Sequence, residues 1–200
     1  MTGCKGELVT AIAVIGRSDE HRNLNISFLS PNAFETILMQ YLNDCYGTEN
    51  WEGERSHVPR FHGPVDWKRH THLPVPSASF NICSRGEDVG CLYVRDHLFA
   101  FPVSDQYFVL VTATQHHYSR DESGDLAFDV TPMQDLQNQV LQSISLELGR
   151  EAKASVDKIK AELGSLYMSK DFAPLKWPTN IYPPEADSSP ETRQVLRGEV

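Results

Sequence analysis

Tyr107-Phe108-Val109-Leu110-Val111-Thr112-Ala113-Thr114 is the stretch on which the fold turns. It carries no charge, is rich in β-branched and aromatic side chains and is apolar on both alternating faces, so it reads as a strand inside a sheet. Upstream, Ala78-Ser79-Phe80-Asn81-Ile82 alternates apolar and polar residues, which predicts one buried face and one wet face. Arg85 to Asp88 makes a turn and Val89 to Val94 runs back. Arg95-Asp96-His97 is a weaker turn, and Leu98 to Phe101 follows, broken at Pro102. Downstream, Asp121 to Asp125 reads as a hairpin tip before a strand over Leu126 to Val130. The middle of the chain is therefore an antiparallel meander.

Leu8 to Ile15 is a second charge-free run and reads as a buried strand ending at Gly16. Leu24-Asn25-Ile26-Ser27-Phe28 alternates, and the two runs suggest an antiparallel pair. The period then changes. Ser30-Pro31 is a helix start, with a hydroxyl for the cap and proline at the first helical position. Phe34, Ile37, Leu38, Tyr41, Leu42 and Cys45 follow at steps of three, one, three, one and three, a single apolar stripe, and Gly47 stops it. Residues 48–76 show no sustained period and read as a long loop, although Trp51, Phe61 and Trp67 predict that it packs.

Thr131-Pro132 repeats the proline start, and a helical pattern runs to about Met168. Its stripe is Val140 or Leu141, Ile144, Leu148, Ala152, Val156, Ile159, Leu163 and Leu166. A continuous rod of that length would span roughly 55 Å at about 1.5 Å per residue. It either bends at Gly149 into two packed helices or projects its second half toward another chain. Residues 1–170 thus form one α+β domain. Its antiparallel sheet has about six or seven strands, with one inserted amphipathic helix and a long C-terminal helix on one face. The Pro-rich tail over 171–200 reads as partly disordered.

Two hundred residues with 18 Lys and Arg against 27 Asp and Glu give a formal charge of −9. That balance excludes a general nucleic-acid binder, which needs a basic face to displace counterions. No run of 18 apolar residues exists to span a membrane. Cys4, Cys45, Cys83 and Cys91 form no CxxC, and the first residues lack the apolar core of a secretory signal. The expectation is a cytoplasmic protein with reduced thiols.

Motifs for chemistry are sparse. GxSxG, GxxxxGK[ST] and GxGxxG are all missing, and no catalytic residue is assigned. Cys83 and Cys91 could approach His97 or His116, but cysteines of this kind are more often small core residues. His116-His117 closes the strongest strand and reads as a solvated loop entry. His57, His62, His70 and His72 lie within sixteen residues, and His70-Thr71-His72 would set two imidazoles on one face of an extended chain. With Asp66 or Glu54 they could hold zinc or another transition metal, though no HExxH-type template accompanies them. Otherwise no cofactor is expected. Trp51, Arg55, Arg60, Phe61, Trp67 and Arg69, with Lys68, form a local basic-aromatic patch that suits protein contact. Val156, Ile159, Leu163 and Leu166 form a narrow seam that a homodimer would bury.

The leading expectation is a non-enzymatic protein-interaction domain, similar in composition to small acidic immunity and adaptor proteins. Its negative field would steer it toward a basic partner. Two alternatives stand beside it. One is a metal-dependent enzyme or sensor built on the four loop histidines. The other is a small-ligand domain with a pocket walled by Trp51, Phe61 and Trp67.

Overall fold

The computed structural model describes residues 3–18, 26–47, 61–84 and 94–171. Along the chain run β1 (Gly6–Gly16), α1 (Pro31–Tyr46), β2 (Phe61–His70), β3 (Ser77–Ser84), β4 (Val94–Pro102), β5 (Tyr107–His117), α2 (Thr131–Ser143) and α3 (Arg150–Leu163). The described strands form one antiparallel sheet in the order β1-β5-β4-β3-β2. β2 to β5 are a meander, and β1 adds to its last strand. The fold is α+β, with five strands among the described residues rather than six or seven. No described helix is long and apolar enough to cross a membrane.

Strand alternation divides the interior into two cores. Phe108 and Leu110 of β5, Leu98 and Ala100 of β4, and Ala78, Phe80 and Ile82 of β3 face α1, which contributes Phe34, Ile37, Leu38 and Leu42. The sequence stripe of α1 is thus its buried face, except that Cys45 at its end is exposed. On the opposite face Phe99, Phe101 and Val111 pack with Leu73, Val75, Leu141 and Val156. As expected, β5 is an interior strand, between β1 and β4.

Several expectations from the sequence are corrected. Leu8 to Ile15 is a strand, but an edge strand rather than a buried one: Ile12 is 72% exposed, Val14 66% and Val9 40%. It pairs with β5, not with the described residues 26–28 of the expected partner run. The described part of that stretch, 26–28, is not a strand, because its polar groups are satisfied elsewhere. The Phe28 amide donates to the Asp105 carbonyl (3.2 Å), Ser27 Oγ bonds the Asp105 carboxylate, and Arg17 donates to the carbonyls of Ile26 and Asp105. Phe28 and Leu29, wholly buried, go one to each core. Part of the proposed 48–76 loop is β2; its irregular period comes from register shifts between His62 and Val65 and between Val65 and Lys68. Arg95-Asp96-His97 is not a turn but lies inside β4. Asp121 to Asp125 does turn, yet Leu126 makes only a single bridge, to Arg120. The expected turn over Arg85 to Asp88, the returning run from Val89 to Tyr93, and the tail beyond residue 171 lie outside the described residues.

The long helix is two helices. α2 ends at Ser143, and Ile144 adopts φ −66° and ψ 122°. Ile144, Leu146 and Leu148 then pack on the second core with Ser145 and Glu147 exposed, a period of two. Period-two burial needs an extended backbone, so the break falls before Gly149. α3 ends where Gly164 takes the left-handed conformation, φ 75°. Because Ile144 already has the backbone that a residue before proline requires, Ser145→Pro should cost under about 1 kcal/mol. In an unbroken helix it would cost about 3 kcal/mol. Urea unfolding separates the two results.

Candidate functional site

The two edges of the sheet are built differently. β2 carries Pro64, two register shifts, Asp66 at φ 55°, and the charges of Lys68 and Arg69. A segment after α3 also wraps it: Leu166 packs in the second core and Met168 in the first, so the chain between them passes around this edge. Trp67 Nε1 donates to the Ser169 carbonyl (2.9 Å), and Arg69 donates to the Met168 carbonyl (3.5 Å) while its guanidinium lies 5.3 Å from the Tyr167 ring. Ser169 Oγ donates to Glu35 of α1 (2.9 Å). Proline, bulges, charge and cover are the devices that keep a sheet edge from pairing with another chain.

Among the described residues β1 has no proline, no register shift and no strap, and its one charge, Glu7, lies near its end. Its eleven residues pair with β5 from Gly6–His117 to Gly16–Tyr107 without a single register shift. From Leu8 to Ile15 there is no charge and no proline. Among the described residues no strand lies on its outer side. At its ends, Phe128 and Met133 stand over Gly6, and the Tyr107 ring stands over Gly16. Glu7, the charged residue of the strand, accepts a hydrogen bond from the Tyr118 hydroxyl (2.7 Å).

A second cluster lies on the face of β2–β4 opposite α1. Asn81 Nδ2 donates to Asp66 Oδ2 (2.7 Å), and Asn81 Oδ1 accepts from His97 Nδ1 (2.7 Å). With the amide held that way the proton of the neutral His97 ring sits on Nδ1. His70 Nε2 contacts Ser79 Oγ at 2.8 Å. Ser77, Ser79 and Asn81 are buried, so the face of β3 that its alternation assigns to water is instead a satisfied polar layer. Burial, and then the fields of His72, Lys68 and His97, lower the His70 pKa to about 4. Its neutral ring packs edge-on to Phe99 (5.0 Å) and to His72 (5.6 Å), while His72 stacks on Phe99 (5.9 Å, 13°).

A serine beside an imidazole has the parts of a nucleophile and base. A base whose conjugate acid has a pKa near 4 is poorly matched to accepting a hydroxyl proton at neutral pH. The contact serves to satisfy two buried polar groups. Its pH signature follows. His70 titrates near 4 in the folded chain and near 6.5 in the unfolded one, so the unfolded state takes up the proton first. The contribution is complete above pH 6.5 and is lost as pH falls toward 4. The whole shift corresponds to about 3 kcal/mol, which solvent around the half-buried ring reduces to about 1–2 kcal/mol. Chemical unfolding at pH 7 and pH 4.5 should therefore show a smaller loss for His70→Gln than for the parent chain.

Those residues singled out from the sequence that the structure describes are dispersed. Trp51, Arg55, Arg60 and His57 lie outside the described residues, as do Cys91 and the side chain of His62. Phe61 meets Tyr46 of α1 edge-on (5.0 Å), and Trp67 stacks on Phe80 (5.4 Å), so these two members of the basic-aromatic patch pack against the first core. His70 and His72 do come together, but around Phe99. Among the described residues no three His, Cys, Asp or Glu side chains are grouped to hold a metal ion. In the C-terminal seam, Val156 is 5% exposed, Ile159 and Leu166 pack on the same core, and Leu163 is half exposed. Most of the seam is covered by the chain's own sheet. His117 meets Phe128 edge-on (5.9 Å), and burial, then Arg120 and His116, lower its pKa. His116 stacks on Tyr118 (6.2 Å), and Cys83 is a buried free thiol.

No protein-family model, curated protein or solved structure matches this chain.

Proposed function

We propose that this chain is a non-enzymatic protein-binding domain that takes up a strand from another polypeptide at the outer edge of β1. The observation that carries the reading is the contrast between the two edges. β2 is bulged, charged, proline-bearing and strapped, whereas β1 is long, regular and charge-free over Leu8 to Ile15. Main-chain donors and acceptors along an edge supply affinity, and exposed side chains on alternate faces supply selectivity. Ile12 and Val14 on one face and Val9 on the other are those side chains. The polar layer around Asn81 supports the non-enzymatic part, since its groups are bonded to one another and its buried histidine is a weak base.

A photoreactive benzophenone side chain replacing Ile12, in the full chain within its native extract, tests the proposal. Irradiation should give a covalent adduct with another polypeptide. The same probe at Lys158, an exposed position on α3, should give none. Absence of any intermolecular adduct at position 12 would end the reading.

A further inference from the structure

We infer that the strand taken up by β1 is β1 of a second copy of this chain, joined antiparallel about a twofold axis through Ala11. The inference rests on the strand-addition reading and names its partner. It begins from a mismatch between sequence and position. Leu8-Val9-Thr10-Ala11-Ile12-Ala13-Val14-Ile15 has the composition of a strand with neighbours on both sides, yet among the described residues it has one neighbour, β5. A second strand at the free edge would resolve the mismatch.

The sequence of β1 is complementary to itself. Antiparallel pairing centred on Ala11 sets Ala11 against Ala11 of the partner copy, Thr10 against Ile12, Val9 against Ala13, and Leu8 against Val14. Gly6 then falls against Gly16, and Glu7 meets Ile15 rather than a second Glu7. Each pair joins residues of like parity, so paired side chains share a face, and in every second pair the main-chain groups point toward each other. Ile12 and Val14, the most exposed large apolar side chains of the strand, gain Thr10 and Leu8 as cross-strand neighbours. An isologous contact of this kind closes at two copies, so it yields a dimer and not a fibre.

Charge separates this partner from the other candidate. A basic protein drawn by the net charge of −9 would find no carboxylate between Leu8 and Ile15 to pair with. Two copies of this chain carry like net charge, and a neutral strand lets them meet without opposing carboxylates. Salt therefore has opposite effects: screening should tighten a dimer of like-charged copies and weaken a complex with a basic protein.

Sedimentation equilibrium of the full chain at low and high salt, with variants at the axis, tests the inference. Ala11 is exposed, so Ala11→Lys and Ala11→Glu should keep the parent melting temperature within a degree or two. Each variant alone places like charges directly opposite each other and should dimerise about tenfold more weakly. Mixing the two in equal amounts should restore the affinity to within about threefold, since opposite charges then face each other. The parent dimer should tighten as salt rises. A parent chain monomeric throughout overturns the inference. So does a dimer indifferent to both variants, or one that the mixture does not restore. If the inference fails in any of these ways while the probe at position 12 still labels a different protein, strand addition stands and only the partner was wrong. If the probe labels nothing, both fall.

Discussion

Phe108→Ala should lower the unfolding free energy by about 3–5 kcal/mol, the largest loss expected from any truncation in the first core. The ring is wholly buried and stands at the point where three others converge: Phe28 (6.3 Å), Phe34 (5.6 Å) and Tyr41 (5.5 Å), the last two edge-on. These partners come from the 26–29 segment and from two separate turns of the inner face of α1. Removing one ring therefore loosens the helix, the segment and the strand together. For a domain of this size the loss corresponds to a fall in melting temperature of roughly 10 °C. Phe108→Leu keeps most of the volume and should cost under about 1.5 kcal/mol. Ile12→Ala, at the exposed edge, should change stability by no more than about 0.5 kcal/mol. Calorimetry on the three variants gives the ranking.

Phe99→Ala should be of similar size, about 3–5 kcal/mol, and should carry a second signature. Phe99 is 1% exposed and lies under His70, His72 and Phe101 (5.0, 5.9 and 5.3 Å). It is a main apolar wall of the site that keeps His70 neutral. Without the ring, water reaches the imidazole and the leading cause of its lowered pKa weakens. The His70 resonance, followed by NMR through an acid titration, should move its midpoint from near 4 toward 6.5. A variant that loses stability while His70 still titrates near 4 would show that the shift has another origin.

Much of the fold was legible because local signals and burial agree. Ser30-Pro31 starts α1 and Gly47 ends it, and its stripe meets the core as the 3.6 period requires. The charge-free run over Tyr107 to Thr114 is an interior strand. The misreadings share a physical origin: periodicity reports which residues want burial, not what buries them. Leu8 to Ile15 has the composition of an interior strand, and only the sheet order reveals that, among the described residues, no strand lies on its outer side. Ile144 and Leu148 fit a helical stripe at steps of four, and Leu146 between them was the residue that signalled period two. Ser79 and Asn81 alternate with apolar residues and so predicted a wet face. Their burial depends on His70, Asp66 and His97, which are distant in sequence or on other strands. β2 escaped because two bulges and Pro64 erase its alternation.

The candidate site was less legible than the fold for the same reason. A basic-aromatic patch and a run of histidines are visible in sequence as composition. In the structure Trp67 and Arg69 clasp the segment after α3, and His70 and His72 pack on Phe99. An open edge has no residue motif at all. It exists only as the difference between a strand with two neighbours and a strand with one.

That difference can be measured amide by amide. Hydrogen exchange resolved along β1, in dilute full-length chain, should alternate: amides donating to β5 exchange slowly, and the intervening ones, turned to the open side, exchange at close to the rate of a free peptide. β4, with neighbours on both sides, should be slow throughout. Uniform protection along β1, equal to that of β4, would mean that the chain already covers its own edge and would contradict the account.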